Sequence, residues 1–224
     1  MAVHATTAEV ILRVRTRIAE PTASMISDNQ LGYFITECQR DLCFQLPDAA
    51  LWPVIVDKST TIVTGQEAYT FEAAGSAATR FVRELSVKYK AAYAKRLEAA
   101  DVKKLAVGQV VASEAKPYYT ILNDGITFEL GGEATQAGAE VFIIRYVKLP
   151  ADIDNGAGSV GLEFPWAFYG PIEDFVVSRA WEQREEPERA TAAYQSYMQR
   201  LGAIVQHYRP GENTHLYQSS GVRS

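Results

Sequence analysis

The stretch Asp28–Leu46, DNQLGYFITECQRDLCFQL, constrains the chain more than any other. Apolar side chains recur at Leu31, Phe34, Ile35, Cys38, Leu42 and Leu46. This spacing lines them along one side of an α-helix, and such a helix is stable only when something covers the stripe. Ser27 or Asp28 can accept hydrogen bonds from the free N–H groups of the first turn. Pro47 ends the helix at Leu46, because the residue before a proline avoids the helical region. The opposite side carries Glu37, Gln39, Arg40 and Asp41 and is expected to meet water or a partner.

The cover for that stripe is expected from three other helices. Thr7–Ile18 has a stripe of Val10, Ile11, Val14 and Ile18, with Thr6 or Thr7 as a cap and Glu9 near its positive end. Ile172–Glu186 places Ile172, Phe175, Val176 and Arg179 or Ala180 on one side. Pro187 suits the first turn of Glu188–Tyr208, whose stripe is Tyr194, Tyr197, Met198, Leu201, Ile204, Val205 and Tyr208. Pro210-Gly211 ends that helix, and the tail to Ser224 shows no periodicity.

Between these helices the pattern changes to short β-prone runs. Thr60–Val63, Ala68–Phe71, Phe81–Tyr89 and Val141–Lys148 read as strands. Tyr118–Asn123 and Ile126–Leu130 flank Asp124-Gly125, a favoured two-residue hairpin turn, which would set Ile121 opposite Phe128 and Tyr119 opposite Leu130. Lys95–Ala106 reads as a short helix with Leu97, Val102 and Leu105 inward. The fold class expected is α+β and mainly helical. An antiparallel helical bundle from residues 1–50 and 166–209 would hold an inserted small antiparallel β domain at 51–165, with 210–224 as a C-terminal arm.

The chain has 224 residues and a net charge of −5. The only tight basic cluster is Arg13, Arg15 and Arg17, and Arg15 points away from the other two on a helix. Strong DNA binding is therefore not expected. No apolar run is long enough to span a bilayer, and the opening MAVHATTAEVILRVRTR lacks the parts of a signal peptide. Synthesis in a cytoplasm is the expectation. Cys38 lies on the apolar stripe and reads as a core residue, whereas Cys43 is expected to be semi-exposed; five residues apart on one helix, they are not placed to bridge. Trp52, Trp166 and Trp181 read as core or interface anchors.

No catalytic motif stands up to its structural requirements. Gly156, Gly158 and Gly161 match a dinucleotide-binding spacing, but Pro150 separates them from the strand before and Phe164-Pro165 follows where a helix is needed. Asp152, Asp154 and Glu163 fall at three positions of a calcium loop, but Gly156 replaces a ligand and Ala157 replaces the required glycine. His4, His207 and His215 are scattered, with no nucleophile and orienting group beside them. Glu182, Glu185, Glu186 and Glu188 interleave with Arg184 and Arg189 as a solvated turn. No catalytic residue, cofactor or metal is therefore assigned. A ligand- or metal-binding or hydrolytic domain built from scattered residues is the alternative reading.

The layout resembles the head-to-tail connector, or adaptor, proteins of tailed bacteriophages. The segments that carry the likeness are LRVRTRIAE, SDNQLGYFITECQRDLCFQLP with its E-x-x-R-D-L ending, KRLEAADVKKL, PYYTI, YVKLPADI, FPWAF and REEPERATAAYQSYMQRL. Together they cover roughly Thr7–Tyr208. The resemblance implies a non-enzymatic virion protein of the neck, made in the host cytoplasm, that forms a homo-oligomeric ring, commonly a dodecamer. It implies a portal protein above, a tail or neck protein below, and DNA passing through the ring without specific binding. It implies a helical ring wall from which the β region projects. It also implies a portal-contact arm containing Pro210, His215, Leu216 and Tyr217. The charged side of Asp28–Leu46, with Glu37, Arg40 and Asp41, then supplies candidate subunit-interface residues, because neighbours in a ring meet through two different faces.

Overall fold

The computed structural model describes residues 6–20, 25–61, 68–70, 81–90, 92–98, 116–122, 125–129, 141–153 and 162–208. The chain divides into two compact units, Met1–Val54 with Pro150–Ser224, and Ile55–Leu149.

The first unit contains four helices among the described residues: α1 (Thr7–Arg17), α2 (Asp28–Gln45), α3 (Tyr169–Gln183) and α4 (Pro187–His207). Two of them start with a reciprocal cap. Glu9 N donates to Thr6 Oγ1 at 3.3 Å while Thr6 N donates to Glu9 Oε2 at 2.9 Å. At α2, Gln30 N donates to Ser27 Oγ at 3.2 Å and Ser27 N donates to Gln30 Oε1 at 2.8 Å. Each box satisfies two backbone donors that a helix start otherwise leaves free. Leu46 is extended ahead of Pro47, as the proline requires.

The stripes of α1 and α2 face inward. Val10, Ile11, Val14 and Ile18 are buried, as are Leu31, Ile35, Cys38, Leu42 and Leu46. Burying one such leucine contributes about 1.5–3 kcal/mol. The central element is α3, not α2: it touches α1, α2 and α4, and Ile172, Phe175, Val176, Val177, Ala180 and Trp181 are all buried. On α4 only Ala190, Ala193, Tyr197 and Leu201 are buried, so the stripe read from sequence is wider than the surface covered. Cys43 is fully buried, and its thiol donates to Gln39 O at 3.3 Å. Gln39, expected on the wet side, is buried too.

The second unit holds two sheets. Strands β1 (Ile55–Thr61), β8 (Val141–Lys148), β3 (Phe81–Tyr89) and β4 (Ala92–Tyr93) pair antiparallel in the order β1-β8-β3-β4. The other sheet has the order β2 (Ala68–Thr70), β7 (Gly125–Glu129), β6 (Tyr118–Leu122), β5 (Lys95–Arg96). Tyr69, Val87, Tyr89, Tyr119, Phe142, Ile144 and Tyr146 form one apolar cluster from both sheets. Tyr69 meets Phe142 edge-on at 5.1 Å. On β8, Phe142, Ile144 and Tyr146 point inward while Val141, Ile143 and Arg145 point out, the alternation of a sheet with one wet face.

Three expectations are corrected. The chain is not mainly helical: the described residues include two four-stranded sheets as well as four helices, and the fold is α+β with a substantial β part. Lys95 does not open a helix. Lys95 N donates to Pro117 O at 2.9 Å and Leu97 N to Tyr119 O at 2.8 Å, so this backbone extends as a parallel edge strand; residues 99–106 lie outside the described residues. The hairpin forms, but Tyr119 faces Phe128 and Ile121 faces Ile126, a shift of two residues from the expected register. A shift of two keeps every side chain on its face, so the apolar pattern does not distinguish the two registers.

Candidate assembly surface

The outer side of α2 presents Tyr33, Glu37, Arg40, Asp41 and Phe44. Steps of three and four residues stack them on one face. Tyr33 and Phe44 are 62% and 65% exposed at its two ends. Between them the charged residues are engaged within the chain. Glu37 accepts from Arg179 Nη2 at 2.6 Å, and the same guanidinium donates to Glu182 at 2.9 Å and lies 5.1 Å over the Phe175 ring. Arg40 pairs with Asp152. Asp41 accepts from the Tyr197 hydroxyl at 2.8 Å and from Gln45. The face read from sequence is thus a set of ties from α2 to α3, α4 and the segment at Asp152, capped at each end by an exposed ring.

The inner flank of α2 straps the chain on either side of residues 154–161. Ile153 N donates to Thr36 Oγ1 at 3.0 Å and Glu163 N to Gln39 Oε1 at 3.0 Å. Glu163 in turn accepts from Ala151 N at 3.1 Å. Of the three residues matching a calcium loop, Asp152 is committed to Arg40 and Glu163 to Ala151, while Asp154 lies outside the described residues. Among the described residues no group of three His, Cys, Asp or Glu is placed to hold a metal.

Two buried charge clusters had no signal in the sequence. Asp174 is fully buried on α3. It lies 2.6 Å from Arg17 of α1 and 3.1 Å from Arg200 of α4, and it accepts from Ser196 Oγ at 2.9 Å. Arg13, one turn before Arg17, pairs with Glu173 at 3.1 Å. Arg15 points the other way, donating to Ile26 O at 2.9 Å and pairing with Asp28, while Glu20 accepts from Met25 N and Ile26 N at 2.7 and 3.0 Å. The basic cluster is therefore spent on joining α1 to α2 and α3.

A second surface lies at the C-terminal end of α4. Trp52, Pro165, Trp166, Ala167, Ala203, Ile204, His207 and Tyr208 line an apolar groove of about 460 Å³. Trp52 is 56% exposed and Trp166 74%, whereas Trp181 is buried between the guanidinium groups of Arg184 and Arg189, each 4.7 Å from its ring centre. Pro210, His215, Leu216 and Tyr217 lie outside the described residues.

A four-helix unit with a buried charge lattice and two surfaces of exposed rings defines a protein built for contact. The family model of the SU10 adaptor protein matches residues 5–221, and the chain belongs to that family. It is a bacteriophage adaptor, a protein of the virion. None of the curated proteins matches it. No helix among the described residues is long and apolar enough to cross a membrane.

Proposed function

We propose that the protein forms the ring that joins the portal to the tail and extends the channel through which DNA passes, and that its role is structural, not catalytic. The observation that carries this reading is the adaptor family match across 5–221. Its support is the outer face of α2, where Tyr33 and Phe44 bracket the charged ties of Glu37, Arg40 and Asp41. Exposed aromatic residues are enriched among the residues that anchor protein interfaces. Each ring contact would set this face against a different face of the neighbour. The arm with Pro210, His215, Leu216 and Tyr217 would contact the portal, and the net charge of −5 suits a wall that lets DNA pass without holding it. Electron microscopy of portal mixed with saturating protein tests the reading. Added ring density below the portal is the expected result, and an unchanged portal would overturn it.

A further inference from the structure

An open cleft of about 450 Å³ lies between α1, α3 and α4. Val177, Trp181 and Ala192 give it apolar walls, and Arg17, Arg189 and Ser196 give it polar ones. Its charges do not balance. Arg17 and Arg200 share one carboxylate, the fully buried Asp174, which also takes the Ser196 hydroxyl. Arg184 and Arg189 share Glu186 and both lie over the Trp181 ring. Each pair of guanidinium groups has one carboxylate between them, so positive charge is left over, and Arg189 and Arg200 are more than half exposed. Arg13 is offset by Glu173, and Glu185 and Glu188 are not among the residues that line the cleft.

The outer face of α2 is out of balance in the opposite sense. Glu37 and Glu182 share one guanidinium, that of Arg179, and the partners of Asp41, Tyr197 and Gln45, are neutral. Arg40 and Asp152 offset each other. The two faces lie on opposite flanks of α4. Steps of three and four residues put Arg189, Ala192, Ser196 and Arg200 along one flank. Tyr194 and Met198 lie along the other, with the Tyr194 ring 5.7 Å from that of Tyr197, the partner of Asp41.

We infer that this cleft is the face against which a second copy of the chain, the next one in the ring, sets its α2. The surplus carboxylates Glu37, Asp41 and Glu182 of one copy meet Arg17, Arg189 and Arg200 of its neighbour, and an exposed ring, Tyr33 or Phe44, rests on the apolar wall of Val177 and Ala192. The contact rests on the ring reading and names the second face which that reading leaves open. A face with surplus charge repels its own copy and attracts the face of opposite sign, which favours head-to-tail order over a two-fold dimer. Both faces belong to one chain, so each copy that binds offers its own cleft to the next, and the contact repeats until the ring closes.

Cross-linking of full-length chains assembled on portal tests it. Cys38 and Cys43 are both buried, which keeps the background with a bismaleimide reagent low. Chains with Ala192→Cys in the cleft are mixed with chains carrying Tyr33→Cys or Phe44→Cys on α2, two positions being used so that the test survives if one variant misfolds. The mixture is expected to give cross-linked pairs on the order of ten-fold above either variant alone, because a head-to-tail contact never brings two copies of one face together. Arg189→Glu is expected to raise the protein concentration for half-occupied rings about ten-fold. Rings that form with no cross-link at either α2 position, or Arg189→Glu rings at the parent's concentration, would overturn the cleft contact and leave the ring reading standing. Cross-links from Ala192→Cys to the portal, located by mass spectrometry, would assign the cleft to the portal and overturn it equally. A portal that gains no ring from the parent chain would overturn the ring reading and this contact with it.

Discussion

The hydroxyl of Tyr197 on α4 donates to Asp41 on α2 at 2.8 Å. The ring of Tyr197 is fully buried and meets Phe175 of α3 edge-on at 5.3 Å, so one side chain ties three helices together. Tyr197→Phe keeps the packing and removes only the donor. Asp41 retains Gln45, so its carboxylate is not stranded. The expected loss is about 1–2 kcal/mol in urea unfolding, typical of one hydrogen bond to a charged acceptor. A loss below the error of the measurement would show that water replaces the hydroxyl.

Asp174 and its arginines are not equivalent targets. The carboxylate is wholly buried, while Arg17 and Arg200 are partly exposed. Arg17→Met leaves a buried charge with half its cationic support and is expected to cost about 3 kcal/mol. Asp174→Asn removes the buried charge, keeps an acceptor for Ser196 and lets both arginines turn to water, so about 1–2 kcal/mol is expected. Denaturant melts of both variants and the double mutant give the order, and the reverse order would mean that Arg17 is not needed to compensate Asp174.

The helical stripes were legible in the sequence because a spacing of three and four leaves one solution for Val10, Ile11, Val14 and Ile18, and for Leu31, Ile35, Cys38, Leu42 and Leu46. The capping residues Thr6 and Ser27 are local signals of the same kind. What stayed hidden depends on distant chain. The partners of Glu37, Arg40 and Asp41 are Arg179, Asp152 and Tyr197, between 112 and 156 residues away. Asp174 looks like an error in an apolar helix until Arg17 and Arg200 arrive from other helices. Lys95 follows its sheet-edge partner against local helix preference. The tryptophans stood out as anchors, but their exposure follows from which side of α4 the unit covers.

Two helices end on left-handed residues that carry side chains. Ala19 has φ 54° after α1 and Glu185 has φ 58° after α3. Glu20 N reaches back to Arg15 O at 3.0 Å, and Glu186 N to Trp181 O at 3.0 Å, the six-to-one bonds of a Schellman end. Glycine is the residue this conformation favours. Ala19→Gly and Glu185→Gly are each expected to raise stability by about 0.5–1 kcal/mol, the relief of left-handed strain less the entropy glycine adds to the unfolded chain. A calorimetric melt decides, and a lowered midpoint would mean that the strain is already relieved.

Alkaline pH should loosen the fold. Burial, with Glu84 adding and Arg96 opposing, raises the Tyr119 hydroxyl from its ordinary 10.0 to about 12. Burial first, then Cys38 and the bond to Asp41, also raises Tyr197, and burial, then Asp41 and Glu37, raises the Cys38 thiol above its ordinary 9.0. In each case the folded state keeps a proton that the unfolded chain has released. Stability is therefore complete below about pH 9 and falls as pH climbs from there through about 12. Melting temperatures across that range should decline, and Tyr119→Phe should flatten part of the decline above pH 10. A midpoint constant to about pH 12 would contradict the burial of these groups.

Tyr33 and Phe44 test the outer face of α2 most cleanly, because the charges between them also hold the helical unit together. Arg40→Glu would set two carboxylates side by side with Asp152, so a failed assembly would be ambiguous. The two rings are mostly in water, at 62% and 65% exposure, and the double variant Tyr33→Ser, Phe44→Ser should melt within about 0.5 kcal/mol of the parent. Leu42→Asp, two residues before Phe44 and on the buried side, should instead unfold the unit by placing an unpaired charge in its core. If α2 faces a neighbour in the ring, the double variant stays folded and monomeric and adds no ring to the portal in electron microscopy. Rings of normal appearance from the double variant would remove α2 from the interface.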